Sequence, residues 1–383
     1  MKILVVSHSC ATPLNQQLYA ELERVTGWDI TLAVPRDWRD EFGNVLPGER
    51  LEGFRGRVVQ VPVWKNGSII LHLYRKGWRS WLQRERFDFI YVNHEPYALA
   101  TAQICLANRF GLRAPFAFYS CQNILKRYPP PFSWLERAVY GSSTLAFPIT
   151  EAVGEVLQRK GYRQRIAVLP LPFDPVTFSP RPRAEAPEAL RPLGTIPLIG
   201  FIGRLVPEKG LATLARALGE LRDLEWRLVV IGTGAFQPEF DRLTAAAGIG
   251  DRIVHLGYVP HAQTPAHLAA FDVLVLPSET QKNWKEQFGR VITEALACEV
   301  PVVGSDSGEI PNLIRRSRGG VVFPERNPGA LAAALRKLLV SPEERQSLGK
   351  TGRAWALENV SMSGVAAQLA QAVERAIADR PRS

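Results

Sequence analysis

Residues 273–305 read VLVLPSETQKNWKEQFGRVITEALACEVPVVGS. The apolar run at 273–276 has the length of a buried strand. A polar loop follows, then a segment of helical character that carries Glu294 into Ala295-Leu296-Ala297. A second apolar run closes the stretch at 302–304. Strand, helix, strand without polar alternation is the pattern of a parallel sheet covered on both faces. Seven residues separate Glu286 from Glu294. That spacing is about two helical turns plus a small offset, so both carboxylates are expected near one helix face, with Glu286 at or before the helix start, where an N-terminal cap acid is the plain alternative. Acids beneath the C-terminal end of a strand stand where an open α/β sheet places a ligand.

The pattern extends in both directions. Strands are expected at 2–7, 29–34, 57–63, 87–92, 115–119, 144–148 and 166–169. Helices are expected between them, at 14–26, 69–84, 98–110, 134–140 and 151–160. Residues 171–193 break the rhythm with six prolines and little periodicity, the composition of a linker. Alternating strands and helices resume at Pro197. The expected organisation is an α/β domain over 1–175, a linker over 176–194, a second α/β domain over 195–360 and a terminal helix over 361–383. On that helix Val365, Leu369, Val373 and Ile377 form one apolar stripe that another element must cover.

A chain of 383 residues is long enough for two cores. Its 46% apolar and 22% charged residues exclude a disordered or fibrous class. No apolar run approaches 18 residues, so no membrane span is expected. MKILVVSHSC has too short an apolar run for a signal peptide and reads as a first strand. Cys10, Cys105, Cys121 and Cys298 are scattered, with no CxxC. A disulfide scaffold or zinc knuckle is not expected, and the simple expectation is a cytoplasmic protein. The net charge of +10 favours anionic partners. Zinc fingers, aromatic RNP strands and basic-region heptads are all missing, so nucleic acid is not the expected partner.

Several segments carry chemistry. GRLVPEKG, 203–210, follows an apolar strand. Gly203 frees the backbone, and Arg204 and Lys209 offer a fork and a point charge suited to a diphosphate. A basic surface turn is the plain alternative. VVIGTGAF, 229–236, ends a strand in the turn Gly232-Thr233-Gly234. It lacks GxGxxG and GK[ST], so turn geometry alone explains it equally well. Glu294 enters an apolar stretch and needs a partner, either a sugar hydroxyl or a side chain. Phe288 and Gly289 let the chain pass close to a ligand, and Gly289 and Arg290 offer backbone donors. Lys282 and Trp284 line the pocket or face solvent. VNHEPYA places His94 and Glu95 after a strand of the first half, facing a substrate or capping the loop. SCQNILKRYPPPF, 120–132, with Gln122, Asn123, Lys126 and Arg127, is suited to shaping an acceptor site. Residues 69–87 carry basic residues interleaved with Trp78 and Trp81. They read as an interfacial helix on an anionic membrane, or as a helix packed on the sheet with a basic outer face.

Taken together, GRLVPEKG, the VVIGTG turn and PSETQKNWKEQFGRVITEALACEVPVVGSDSGEIPNLI resemble the retaining glycosyltransferases of family 4, the glycosyl transferases of group 1. The last segment carries their E-x7-E motif, and LPLPFDPVTFSP, 169–180, resembles their crossover segment. The resemblance implies the GT-B fold: two Rossmann-like parallel-sheet domains facing across a cleft. It implies that the C-terminal domain binds a nucleotide-diphosphate sugar and that the last helix crosses back to the N-terminal, acceptor-side domain. Arg204 and Lys209 take the places that hold the diphosphate. Glu286 takes the place that contacts the donor sugar, and Glu294 the place that contacts the ribose. Gly203, Gly232, Gly234, Phe288, Gly289 and Arg290 fall in the donor pocket, with the turn after Glu309 beside them. His94 stands where the family often has a histidine near the donor sugar, completing a catalytic set with Arg204, Lys209 and Glu286.

The implied reaction is transfer of a hexosyl group to a hydroxyl of a glycan or lipid-linked glycan, with anomeric configuration retained. Polysaccharide biosynthesis at the inner face of a membrane is the implied setting. No cofactor and no metal are expected. A nucleotide-sugar epimerase of the same fold and a non-catalytic nucleotide-sugar-binding protein are the rival expectations. The chain departs from the family at 7–17, SHSCATPLNQQ, where many relatives carry a glycine-rich loop. A different backbone path, or polar side chains such as Asn15 and Gln16, is expected to substitute for it.

Overall fold

The computed structural model describes residues 1–40, 43–75 and 85–379. These form two compact units, Met1–Pro172 with Met362–Ser383, and Phe173–Ser361. In the first, seven parallel strands run in the spatial order Arg165–Ile166, Leu145–Pro148, Phe116–Ser120, Phe89–Val92, Lys2–Val6, Asp29–Pro35, Arg57–Val61. Successive side chains point to opposite faces. Ile3 and Val5 therefore join one buried cluster with Tyr19, Leu22 and Trp28, and Leu4 and Val6 join another with Ile104, Phe118 and Tyr162. Both faces are covered, which is why the strands read as unbroken apolar runs.

The terminal helix Met362–Ala378 belongs to the first unit. Val365, Leu369 and Val373 are buried in the cluster that also holds Tyr19 and Leu22 of the helix Gln17–Thr26. The apolar stripe is thereby covered.

The second unit holds six parallel strands in the order Ile253–Gly257, Arg227–Ile231, Leu198–Ile202, Val273–Leu276, Val302–Ser305, Gly320–Phe323. Phe201, Leu214, Trp226, Phe240, Leu331 and Leu335 are buried together in its core. The proline-rich stretch at 176–194 is folded onto this unit rather than left as a free linker. Leu190 is fully buried. Arg183 donates to the Ile196 carbonyl at 3.0 Å and to Asp272 at 3.3 Å, so side-chain anchoring replaces the missing periodicity.

Three further expectations change. The helix read at 69–84 does not begin there. Leu73–Tyr74 is a short strand paired antiparallel with Val63–Trp64, and residues 76–84 lie outside the described set. A second hairpin, Asp37–Arg39 with Val45–Pro47, has no counterpart in the sequence reading. Finally, the two acids do not share one helix face, although Glu286 does stand before the helix start as expected. The helix spans Arg290–Ala297, and Gly289 caps it with φ +78°, a left-handed conformation that stops the helix short of Glu286. Glu294 is helical and Glu286 lies in the preceding loop. Among the described residues, no helix is long and apolar enough to cross a membrane.

Candidate functional site

In the second sheet the chain lays strands outward from Leu198–Ile202 on one side, then returns to place Val273–Leu276 on the other. The segments leaving these two strands stand at the reversal of strand order, where an open α/β sheet places a ligand. GRLVPEKG leaves the first strand and PSETQKNWKEQFG the second.

The two segments meet through charge. Lys209 Nζ donates to Glu286 Oε2 at 2.6 Å, and Ser278 Oγ donates to the same oxygen at 3.0 Å. The Trp284 ring lies 5.0 Å from Lys209 Nζ, within cation–π range. Backbone bonds fix the frame: Glu279 N–H donates to the Glu208 carbonyl at 2.8 Å, and Glu309 N–H to the Glu286 carbonyl at 3.2 Å. The buried Glu309 stands at the start of the helix Ile310–Ser317. A Cβ at Gly308 would overlap the Glu286 carbonyl oxygen, so this turn and the acid-bearing loop depend on each other. Arg204 is half exposed, and among the described residues its ion pair is a loose 3.9 Å contact to Glu208, which leaves its fork turned to solvent.

Gly232 and Gly234 serve the frame. Gly203 N–H donates to the Ile231 carbonyl at 3.0 Å, and Leu205 N–H to the Thr233 carbonyl at 2.9 Å. Gly232 has φ +129°, and a Cβ there would overlap the Gly203 carbonyl; one at Gly234 would overlap that of Leu205. The VVIGTG turn thus packs against the basic loop. Phe288 is buried beneath the acid-bearing loop, while Arg290 is exposed on the first helical turn.

Glu294 is buried, and its protein partner is one the sequence reading missed. His261 Nε2 lies 2.8 Å from Glu294 Oε1. His261 and Ser278 both follow the carboxyl end of a strand, the one positional signal that marks them out in the sequence.

His94 lies in the first unit, where a similar reversal occurs beside Lys2–Val6. It is buried against His72 and the half-buried His8, whose rings in turn meet Trp38. Its Nδ1 is 2.7 Å from His8 Nδ1, and its Nε2 is 3.4 Å from the Tyr74 hydroxyl. Protein groups occupy both ring nitrogens. Burial, then the other imidazoles, holds His94 well below the ordinary histidine range. Burial and His72 lower His8 to about 3. Neighbouring Glu95 accepts from Ser120 Oγ and Cys121 N–H, each at 2.7 Å. Burial outweighs those bonds and raises its carboxyl to about 7. Gln16 ties the first loop to residues 49 and 51, donating to the Glu49 carbonyl at 2.6 Å and accepting from Leu51 N–H at 2.9 Å. Asn15 donates to the Ser9 carbonyl. Here the side-chain amides close the glycine-free loop on itself. Among the described residues, no group of three or more His, Cys, Asp or Glu is placed to hold a metal ion.

Known proteins share this architecture. The profile described as "Glycosyl transferases group 1" matches residues 183–355, and that described as "Glycosyl transferase 4-like domain" matches residues 13–172. The chain is 34% identical over 208 residues to a GDP-mannose-dependent alpha-(1-6)-phosphatidylinositol monomannoside mannosyltransferase of Mycolicibacterium smegmatis, an overlap of 53% of this chain and 54% of that protein. It thus spans about half the length of that relative. It is 25% identical to the alpha-D-kanosaminyltransferase of Streptomyces kanamyceticus over 84% of each. A sucrose-phosphate synthase from Thermosynechococcus elongatus has the same fold, with a TM-score of 0.75 over 99% of this chain and 100% of that one at 18% identity. The fold is GT-B, and with both of its halves matched the chain belongs to the glycosyl transferases of group 1.

Proposed function

We propose that the protein transfers a hexosyl group from a nucleotide-diphosphate sugar to an acceptor hydroxyl, with retention of anomeric configuration. The observation that carries this reading is the Lys209–Glu286–Ser278 cluster at the switch point of the second sheet. As the glycosidic bond to the diphosphate breaks, negative charge grows on the leaving phosphate. Lys209 and the solvent-facing Arg204 are assigned to stabilise it, without a resident metal. Glu286 exchanges its lysine for the hydroxyls of the donor sugar and orients it. Glu294 takes the ribose. Only one carboxylate is assigned to the sugar, so attack by the acceptor on the face the diphosphate leaves accounts for retention better than a glycosidase-type pair. His94 is assigned to the architecture of the first unit, since its ring nitrogens are bonded within the protein.

Incubation with UDP-, GDP- and ADP-sugars and a lipid or glycan acceptor tests the reading. GDP-mannose heads the panel because the mycobacterial relative is GDP-mannose-dependent. Transfer in the presence of EDTA with an α-configured product from an α-configured donor supports it. An isomerised donor without acceptor points to an epimerase, and binding without product to a non-catalytic protein.

We further propose a lipid-linked acceptor reached at an anionic membrane surface. Exposed Trp64, Ile69, Ile70 and Leu71 lie beside Lys65 and Arg75 in the first unit, the mixture that favours an anionic interface. Cosedimentation with phosphatidylglycerol vesicles that weakens as salt rises is the expected result. Failure to bind at low salt removes this part of the proposal.

A further inference from the structure

We infer that His261 sets the Glu294 carboxylate for the ribose of the donor nucleotide, a positioning residue that controls nucleotide affinity without touching the reacting atoms. The inference rests on the donor-binding reading above.

Glu294 lies on the helix Arg290–Ala297 among Ile292, Ala295, Leu296 and Ala297, all buried. A carboxylate there is costly unless it is hydrogen-bonded. The structure gives it one side-chain partner, His261 Nε2 at 2.8 Å from Oε1. Oε2 has no hydrogen bond to a described residue. One oxygen is therefore held and the other remains an open acceptor.

His261 is itself held. It begins the short 3-10 turn His261–Gln263, where Gln263 N–H donates to the Pro260 carbonyl at 2.8 Å and Thr264 Oγ1 to the His261 carbonyl at 2.8 Å. The buried Phe178 ring, from the stretch folded onto this unit, packs 5.6 Å from the imidazole. The backbone is pinned and the ring is braced. To donate to a carboxylate, the ring must carry a proton on Nε2. A ribose presents two adjacent O–H donors, the complement of a carboxylate, an acceptor-only group, with one oxygen still open. Without His261 the acid loses the bond that fixes its orientation, and the ribose must order it during binding.

Titration calorimetry with UDP, GDP and ADP, and with their 2′,3′-dideoxy counterparts, tests the role. For the nucleotide that the wild type binds, His261→Ala is expected to weaken affinity roughly tenfold, and to weaken the dideoxy counterpart by less than about twofold. His261→Gln, which retains an N–H donor, recovers most of the loss. In transfer assays the donor KM rises while kcat holds. The His261→Ala and Glu294→Ala effects on affinity are not additive, because they remove one unit. Thermal melts of both His261 variants report folding, and an equal loss for ribose and dideoxy ligands in a folded variant overturns the role. Unchanged affinity in His261→Ala overturns it while leaving the donor reading intact. A wild type that binds none of the three diphosphates overturns both.

Discussion

Lys209 and Glu286 are each mostly withdrawn from solvent, with side chains 14% and 12% exposed. Removing either member of such a pair takes from a poorly solvated charge the opposite charge it faces. Lys209→Ala is therefore expected to lower kcat by about two orders of magnitude or more, through the lost charge at the leaving phosphate. The same change is expected to cost roughly 3 kcal/mol of stability. Adding Glu286→Gln to it restores much of the stability and none of the turnover, read by denaturant unfolding beside steady-state kinetics. Gly308→Ala probes the same acid from behind. Its φ of +58° and the Glu286 carbonyl leave no room for a methyl group, so Glu286 must shift. A loss of roughly 1–3 kcal/mol is expected, with a raised donor KM measured on the folded fraction. The sequence marked Lys209 and both acids, because residue type and strand-end position are local signals. His261 was invisible as Glu294's partner because the two stand 33 positions apart, and nothing in the chain between them encodes the contact.

At the scale of elements, the first unit carries two half-buried groups whose titrations oppose each other. His8 falls from 6.5 to about 3 on folding. Between those values the unfolded chain binds a proton that the fold refuses, so this stability is lost as pH falls below about 6.5. Glu95 rises from 4.5 to about 7. The fold keeps its proton longer than the unfolded chain, so this stability is present below 4.5 and lost as pH rises through 7. Glu95→Gln removes the second effect alone. Denaturation of both proteins from pH 4.5 to 8 is expected to show wild type losing stability relative to the variant, with a slope of at most about 1.4 kcal/mol per pH unit. Because Glu95 anchors Ser120 and Cys121, it also holds the start of the polar loop at 121–131. Sequence periodicity located the strands of this unit well, since strands buried on both faces must be apolar throughout. It misjudged the start of the helix at 69, where Gln103 meets the Tyr74 backbone in both directions, at 2.9 and 2.7 Å, and holds it extended.

At the scale of the whole molecule, the last helix joins distant parts of the chain into one unit. Val365, Leu369 and Val373 share a buried cluster with Tyr19, Trp28 and Ile30. A chain ending at Ser361 is expected to expose that cluster and lower the melting of the first unit by tens of degrees or abolish its folding, since several large side chains lose their cover at once. The second unit, Phe173–Ser361, is expected to retain its own transition and its affinity for a nucleoside diphosphate. Calorimetry of the truncated protein with and without UDP or GDP separates the two outcomes. The sequence by itself determined the fold class, the strand order of chemistry-bearing loops along the chain and the acids and cations of the second unit, because apolar period, proline content and residue type are properties of short windows. Only the tertiary structure decided that Glu286 leaves the helix, that Lys209 holds it, that His261 partners Glu294 and that His94 is enclosed by His8, His72 and Tyr74. Those outcomes depend on which loops the two sheets bring together, and such contacts form between residues far apart in the chain.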